Sequence, residues 1–149
     1  MQKMLISIAN YGTKQLYCLK QVLKEFELYK DFDLTINIHT TVKLNDYKGV
    51  NVIIHPESIG KNLVFEHRKE FTREVNNYDL FLFMENDVII PEKTIKLFCE
   101  HNKIIPEDYI IGFIRYEKWK EDDEENNFIL DEMSNVWGVS QKNMMFENK

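Results

Sequence analysis

The chain has 149 residues, 44% of them hydrophobic and 13% aromatic, with a formal net charge of −6. That is the size and composition of one globular domain with a real core, and it excludes a disordered chain. The acidic balance argues against a nucleic-acid binder, which needs a basic face, but leaves nucleotide binding open, because a metal and a few local donors can offset phosphate charge.

Residues 4–9 read as a first strand, followed by the turn Asn10-Tyr11-Gly12-Thr13 with Thr13 as a helix cap. The apolar part of residues 1–8 is too short for a signal peptide, so a cytoplasmic location is expected. Residues 14–29 predict a helix, with Leu16, Leu19, Val22, Leu23 and Phe26 at helical spacing. Residues 34–39 and 50–55 are short and rich in β-branched residues, and predict strands ending in His39 and His55. A loop over residues 56–60 leads into a helix over 61–75. Residues 80–84 predict a fourth strand, and Pro91 opens a third helix that runs to about His101. Residues 109–116 predict a fifth strand. The segment 117–127 holds six acidic and two basic residues and reads as an exposed loop. Residues 128–133 predict a strand antiparallel to the fifth, 136–140 another short strand, and 141–146 the start of a helix.

Alternation of strand and helix patterns predicts an α/β fold with a mostly parallel sheet flanked by helices and a short antiparallel carboxyl-terminal part. No internal repeat or linker interrupts it. Cys18 and Cys99 fall on or near apolar helix faces and read as reduced thiols, and no Cys/His cluster points to zinc. No apolar run approaches the roughly 20 residues of a transmembrane segment.

The most informative stretch is residues 79–91, Asp-Leu-Phe-Leu-Phe-Met-Glu-Asn-Asp-Val-Ile-Ile-Pro. An apolar strand delivers Glu85, Asn86 and Asp87 to its carboxyl end, the edge at which open α/β sheets bind ligands. Two carboxylates and an amide are oxygen ligands suited to a hard cation such as Mg²⁺ or Mn²⁺, and such a cation commonly holds nucleotide phosphates.

Three segments in this order resemble the GT-A class of nucleotide-sugar glycosyltransferases: the first strand with its Asn-Tyr-Gly-Thr turn, the loop and helix over residues 56–68, and the strand leading into Glu85-Asn86-Asp87. The resemblance covers about residues 3–116. It implies a Rossmann-like single domain, with residues 1–91 as the nucleotide-sugar half and 92–149 as a short acceptor-side half, less than that class usually carries. It further implies a Mn²⁺ or Mg²⁺ ion on Asp87 and Glu85, with Glu-Asn-Asp standing where the family has Asp-X-Asp. Asn10, Tyr11, Gly12, Thr13, Gly60, Arg68, Glu85 and Asn86 would then line the site for a UDP- or GDP-sugar. The acceptor would be a glycan or another hydroxyl compound. Glu117, Asp131 and Glu132, together with the loop acids Asp122 and Asp123, are the candidate bases for removing its proton.

Each of these residues also has a plainer reading. Asp87 could cap the helix after Pro91, and Arg68 could pair with Glu70 or Glu74. His39, His55 and His67 could satisfy local hydrogen bonds. Trp119 could stack on a sugar or anchor its loop, and Trp137 reads as core. A truncated or inactive nucleotide-binding domain is the alternative function. A sugar nucleotidyltransferase ranks lower, because the first turn has a single Gly and no basic loop. An acidic signalling domain would need carboxylates where Asn10 stands.

Overall fold

The computed structural model describes residues 1–45 and 47–113, and beyond them the backbone of two strands, residues 116–121 and 124–129. The chain divides into two compact units, Met1–Glu100 and His101–Lys149. The first unit is an α/β arrangement. Its strands β1 (Gln2–Asn10), β2 (Phe32–Thr40), β3 (Asn51–Ile54) and β4 (Leu80–Glu85) form one sheet in the order β3-β2-β1-β4. All three pairings are parallel. β2 and β3 extend from β1 to one side and β4 lies on the other, so the strand order reverses at β1.

Register divides the sheet into two unlike faces. Met4, Ile6 and Ile8 of β1 align with Leu34, Ile36 and Ile38 of β2 and with Leu80, Leu82 and Met84 of β4. This apolar face packs on Leu19, Val22 and Phe26 of helix α1 (Leu16–Phe26) and forms the core. Those three residues recur at intervals of three and four, the spacing that lines one side of a helix. Helix α3 (Glu92–His101) contributes Ile95 to the margin of the same cluster. It is tied down at its start: Tyr29 Oη donates to Ile90 O at 2.6 Å. Glu92 Oε1 accepts from the backbone amides of Lys30 and Asp31 at 2.6 and 2.8 Å. Those amide donors hold the Glu92 carboxyl below its ordinary value.

The opposite face carries Thr35, Asn37 and His39 of β2 and Phe81 and Phe83 of β4. Helix α2 (Glu66–Glu74) covers it, with Phe71 against Phe81 and His67 stacked on Phe83 at 3.9 Å between centroids. α2 is reached through a 3-10 segment, Glu57–Phe65, broken at Gly60, where φ is 52°. The helix expected over 61–75 is therefore two pieces, because residues 57–65 wind as tighter turns around a glycine in left-handed backbone.

In the second unit β5 (Tyr116–Glu121) and β6 (Glu124–Ile129) form an antiparallel hairpin. The segment expected to be a loop is thus largely strand. Register sets Lys120 opposite Glu125 along the two backbones. Residues 109–113 have no regular secondary structure, so the fifth strand begins at Tyr116 and not at 109. The expected strand over 128–133 overlaps β6 only at its start, and its remainder lies outside the described residues, as do the elements expected over 136–146. Among the described residues no helix is long and apolar enough to cross a membrane.

Leu19 is fully buried in the α1 core, whereas Leu28 is 64% exposed. Leu19→Ala should cost about 2–5 kcal/mol in urea unfolding through lost burial and the cavity it leaves. Leu28→Ala should stay within about 0.5 kcal/mol of the parent.

Candidate functional site

The carboxyl edge of the sheet is organised by Asn10, the last residue of β1, which is completely buried. Its Nδ2 donates to Gly12 O at 3.1 Å and to Thr40 Oγ1 at 3.0 Å. Its Oδ1 accepts from Asn86 Nδ2 at 2.6 Å, and that nitrogen also reaches Gln15 O at 3.5 Å. Gly12 N donates to Thr41 Oγ1 at 3.1 Å. One amide thereby joins the turns that follow β1, β2 and β4. Gly12 itself has φ of 68°, which a residue with a Cβ resists.

Beside this junction opens a cleft of about 640 Å³, lined by Ala9, Tyr11, Gln15, Gly60, Lys61, Leu63, Val64, Glu85 and Asn86. It lies at the carboxyl ends of β1 and β4, with the 3-10 segment as its other wall. Of the residues expected in a donor site, Tyr11, Gly60, Glu85 and Asn86 meet here. Asn10 and Gly12 stand behind them in the hydrogen-bonded junction. Thr13 is exposed and does not cap α1; its carbonyl accepts from Leu16 N at 3.4 Å, and Gln15 occupies the cap position without a side-chain bond to the helix amides. Asn10 and Gly12 of that turn bond Thr40 and Thr41, and α1 begins only at Leu16.

Arg68 is exposed on α2 with its guanidinium 4.7 Å above the ring of Phe65, and it does not line the cleft. It forms neither expected pair: Glu70 is buried against His39, and Glu74 pairs with Arg73 at 2.9 Å. Asp87 is exposed and its Oδ2 accepts from Gln15 Nε2 at 3.1 Å, which ties β4 to the start of α1. It does not cap α3, which begins five residues later at Glu92. Glu85 is exposed at the cleft. Among the described residues no three His, Cys, Asp or Glu side chains gather into a metal-binding group. Glu117 stands in β5 of the second unit, as does Trp119. Asp122, Asp123, Asp131, Glu132 and Trp137 lie outside the described residues. Cys18 and Cys99 are half-buried thiols outside any disulfide.

A second constellation lies under α2. His39, 5% exposed, and Glu70, 4% exposed, are in contact, with His39 Nε2 3.2 Å from Glu70 Oε2. His39 Nδ1 is 2.9 Å from His55 Nε2, and the two rings stack at 5.2 Å. Glu70 Oε1 accepts from Asn37 Nδ2, and Asn37 Oδ1 accepts from Asn51 Nδ2 at 2.7 Å. Glu70 gave no sign of this along the chain. Its position among Glu66, His67, Arg68, Lys69, Arg73 and Glu74 reads as one charge on a solvated helix face. His67 does satisfy a local bond, to Val64 O at 2.6 Å.

No protein-family model, no curated protein and no solved structure matches this chain.

Removing one partner of the buried amide pair orphans the other. Asn86→Ala should cost about 1–3 kcal/mol in denaturant unfolding, with Asn10 Oδ1 left buried and unpaired. Asn10→Ala, which strips three bonds, should cost more. Burial and the neighbouring His39 hold His55 below the ordinary histidine value, against a smaller opposing pull from Glu66. The unfolded chain then binds that proton more tightly, so this contribution to stability is complete above about pH 6.5 and is lost as pH falls through the folded value. Melting temperature should therefore decline from about pH 7.5 to about pH 5.5, and His55→Ala should flatten that slope.

Proposed function

We propose that the chain is a metal-dependent glycosyltransferase with a Rossmann-like, GT-A-type nucleotide half, moving a sugar from a UDP- or GDP-sugar to the hydroxyl of a glycan or related acceptor. The observation that carries this reading is the position of the cleft. It opens at the carboxyl ends of β1 and β4, where the strand order reverses, and this reversal point is where open α/β sheets take nucleotides. Its lining suits such a ligand. Tyr11 is 55% exposed and offers a ring face for a base. Lys61 brings a cation for phosphate oxygens, and Gly60 leaves open space above the backbone. Leu63, Val64 and Ala9 supply apolar wall.

The donor set of Glu85 and Asp87 fits a Mg²⁺ or Mn²⁺ ion of the kind held by one or two carboxylates, waters and ligand phosphates, in place of an all-protein cage. Asp87 uses one oxygen on Gln15 and keeps the other available. When bound, the ion supplies counter-charge for the leaving diphosphate. The chain's own part is to orient: the Asn10–Asn86 bond fixes the turn that carries both carboxylates. The same bonds favour a second reading, a nucleotide-binding domain without transfer. Asn86 and Asp87 both have structural partners and would need no metal to be held in place.

Calorimetric titration with UDP, GDP and CDP, each with and without Mn²⁺, tests the two readings. Transfer predicts Mn²⁺-dependent binding of one diphosphate, weakened more than about tenfold by Asp87→Ala. Binding that ignores both Mn²⁺ and Asp87→Ala supports the second reading. No diphosphate binding by the folded protein would sink both.

A further inference from the structure

Gln15 sits at the N-cap position of α1 and does not cap it. Short polar side chains ordinarily fill that position because they reach back to the helix amides. The Gln15 carboxamide instead crosses to the turn after β4, where Nε2 donates to Asp87 Oδ2 at 3.1 Å. Both side chains are exposed, so water would serve each of them if the bond were absent, and the bond adds little to stability. Gln15 also lines the cleft, and Asp87 does not. A side chain that breaks a local rule beside a cleft points to function.

The pair has a direction. An ionised carboxylate only accepts hydrogen bonds, so Asp87 is met by the nitrogen end of the carboxamide. That end is thereby held toward a residue outside the cleft lining. The oxygen end, Oε1, is left for the cleft and has no protein partner among the described residues. The backbone oxygen of Gln15 is already engaged, accepting from Leu19 N at 3.1 Å and from Asn86 Nδ2 at 3.5 Å. What the start of α1 offers a ligand is therefore a fixed acceptor. Tyr11, on the same connection between β1 and α1, brings an exposed aromatic ring to the same cleft. A ring platform beside a fixed acceptor is the set of contacts by which proteins hold an unstacked base, stacked on an aromatic face and bonded along its Watson–Crick edge.

We infer that Gln15 reads the base of the cleft's nucleotide, its Oε1 accepting from the imino N–H of uracil or guanine, and that Asp87 is the positioning residue that fixes the carboxamide. The inference rests on nucleotide binding, which the transfer reading and the reading without transfer share. Uracil N3 and guanine N1 carry hydrogen at neutral pH, whereas cytosine N3 and adenine N1 carry a lone pair. An acceptor set against a lone pair gains no bond. The amide escapes that mismatch only by turning its nitrogen into the cleft, and the turn sets Oε1 against the Asp87 carboxylate. Asp87 thus gives the site its preference without touching the base. The role uses Oδ2 alone and leaves Oδ1 for a cation.

Calorimetric titration of the full chain with two matched pairs, UDP against CDP and GDP against ADP, at one Mn²⁺ concentration, tests this. Each pair keeps the ring size and changes the imino position. The diphosphate and its cation are common to both members, so their contribution cancels in the ratio of affinities. In the pair that binds, the N–H member should bind roughly fivefold to tenfold tighter, the worth of one hydrogen bond in reach of water. Gln15→Leu should bring that ratio to within about twofold of unity while the affinity for CDP or ADP holds. Asp87→Asn introduces an amide that can donate to Gln15 Oε1 and release the nitrogen toward the cleft. It should collapse the ratio too, even if absolute affinity falls for both members. Equal affinities within each pair in the wild type would overturn the base reading and leave nucleotide binding standing. A preference that survives Gln15→Leu would overturn it as well, as would an equal loss for all four diphosphates, which puts Gln15 on ribose or phosphate. A ratio that collapses in Gln15→Leu but survives Asp87→Asn would overturn the positioning role of Asp87. If none of the four binds the folded protein, the nucleotide reading fails and takes this inference with it.

Discussion

A single buried amide holds the working edge of this protein together. Asn10 has two N–H donors and one carbonyl acceptor, and all are spent inside the fold, on Gly12, Thr40 and Asn86. Thr40 passes the constraint on, because its Oγ1 also accepts from Val42 N at 3.2 Å. Three loops that are far apart in the chain therefore share one hydrogen-bonded junction. A buried amide left partly unpaired is costly, so the junction tolerates few alternative arrangements. The turn carrying Glu85 and Asp87 inherits its position from that junction.

The two faces of the sheet are held by different physics. Toward α1 the contact is apolar, with Met4, Ile6, Ile8 and Ile38 against Leu19, Val22 and Phe26. Apolar burial supplies most of the driving force but little directional information. Toward α2 the contact mixes the stacked rings of His67, Phe71, Phe81 and Phe83 with a buried carboxylate and its imidazole and amide partners. α2 is otherwise so polar that Glu70 is its one buried residue. A buried charge stays in place only when its partners are met, so Glu70 sets where α2 can lie. On this account the polar face contributes positional specificity more than stability. Ser7 Oγ, beside Asn37 in register and buried without a hydrogen-bond partner among the described residues, adds a small cost to that face.

The cleft inherits both kinds of control. One wall is the Asn10 junction on β1 and β4. The other is the 3-10 segment, whose course depends on Gly60 and on the docking of α2 that follows it. The His39–Glu70 contact supports the second wall and is separate from the first. A ligand in the cleft would therefore meet a fixed edge carrying carboxylates and an edge supported through the hydrogen bonds of buried Glu70.

The four strands of the parallel sheet, α1, α3 and the carboxyl-edge location of Tyr11 and Glu85 were legible in the sequence, because periodicity and apolar runs are local properties. Leu80 to Met84 cannot easily be anything but a strand, and whatever follows a parallel strand lies at its carboxyl edge. The partners of the polar residues were not legible. Asn86 and Asp87 read as ligands, yet one bonds Asn10 across 76 positions and the other Gln15 across 72. Glu70 reads as a solvated charge, but it is buried and meets His39 across 31 positions. The acidic segment reads as loop, but pairing between β5 and β6 makes it a hairpin. What the sequence by itself determined is the strands of the parallel sheet, helices α1 and α3, and which residues fall at the sheet's carboxyl edge, since these follow from short-range spacing. The tertiary structure alone decided strand order, the reversal at β1 and the hydrogen-bond partners, because pairing and burial depend on registers between segments far apart in the chain.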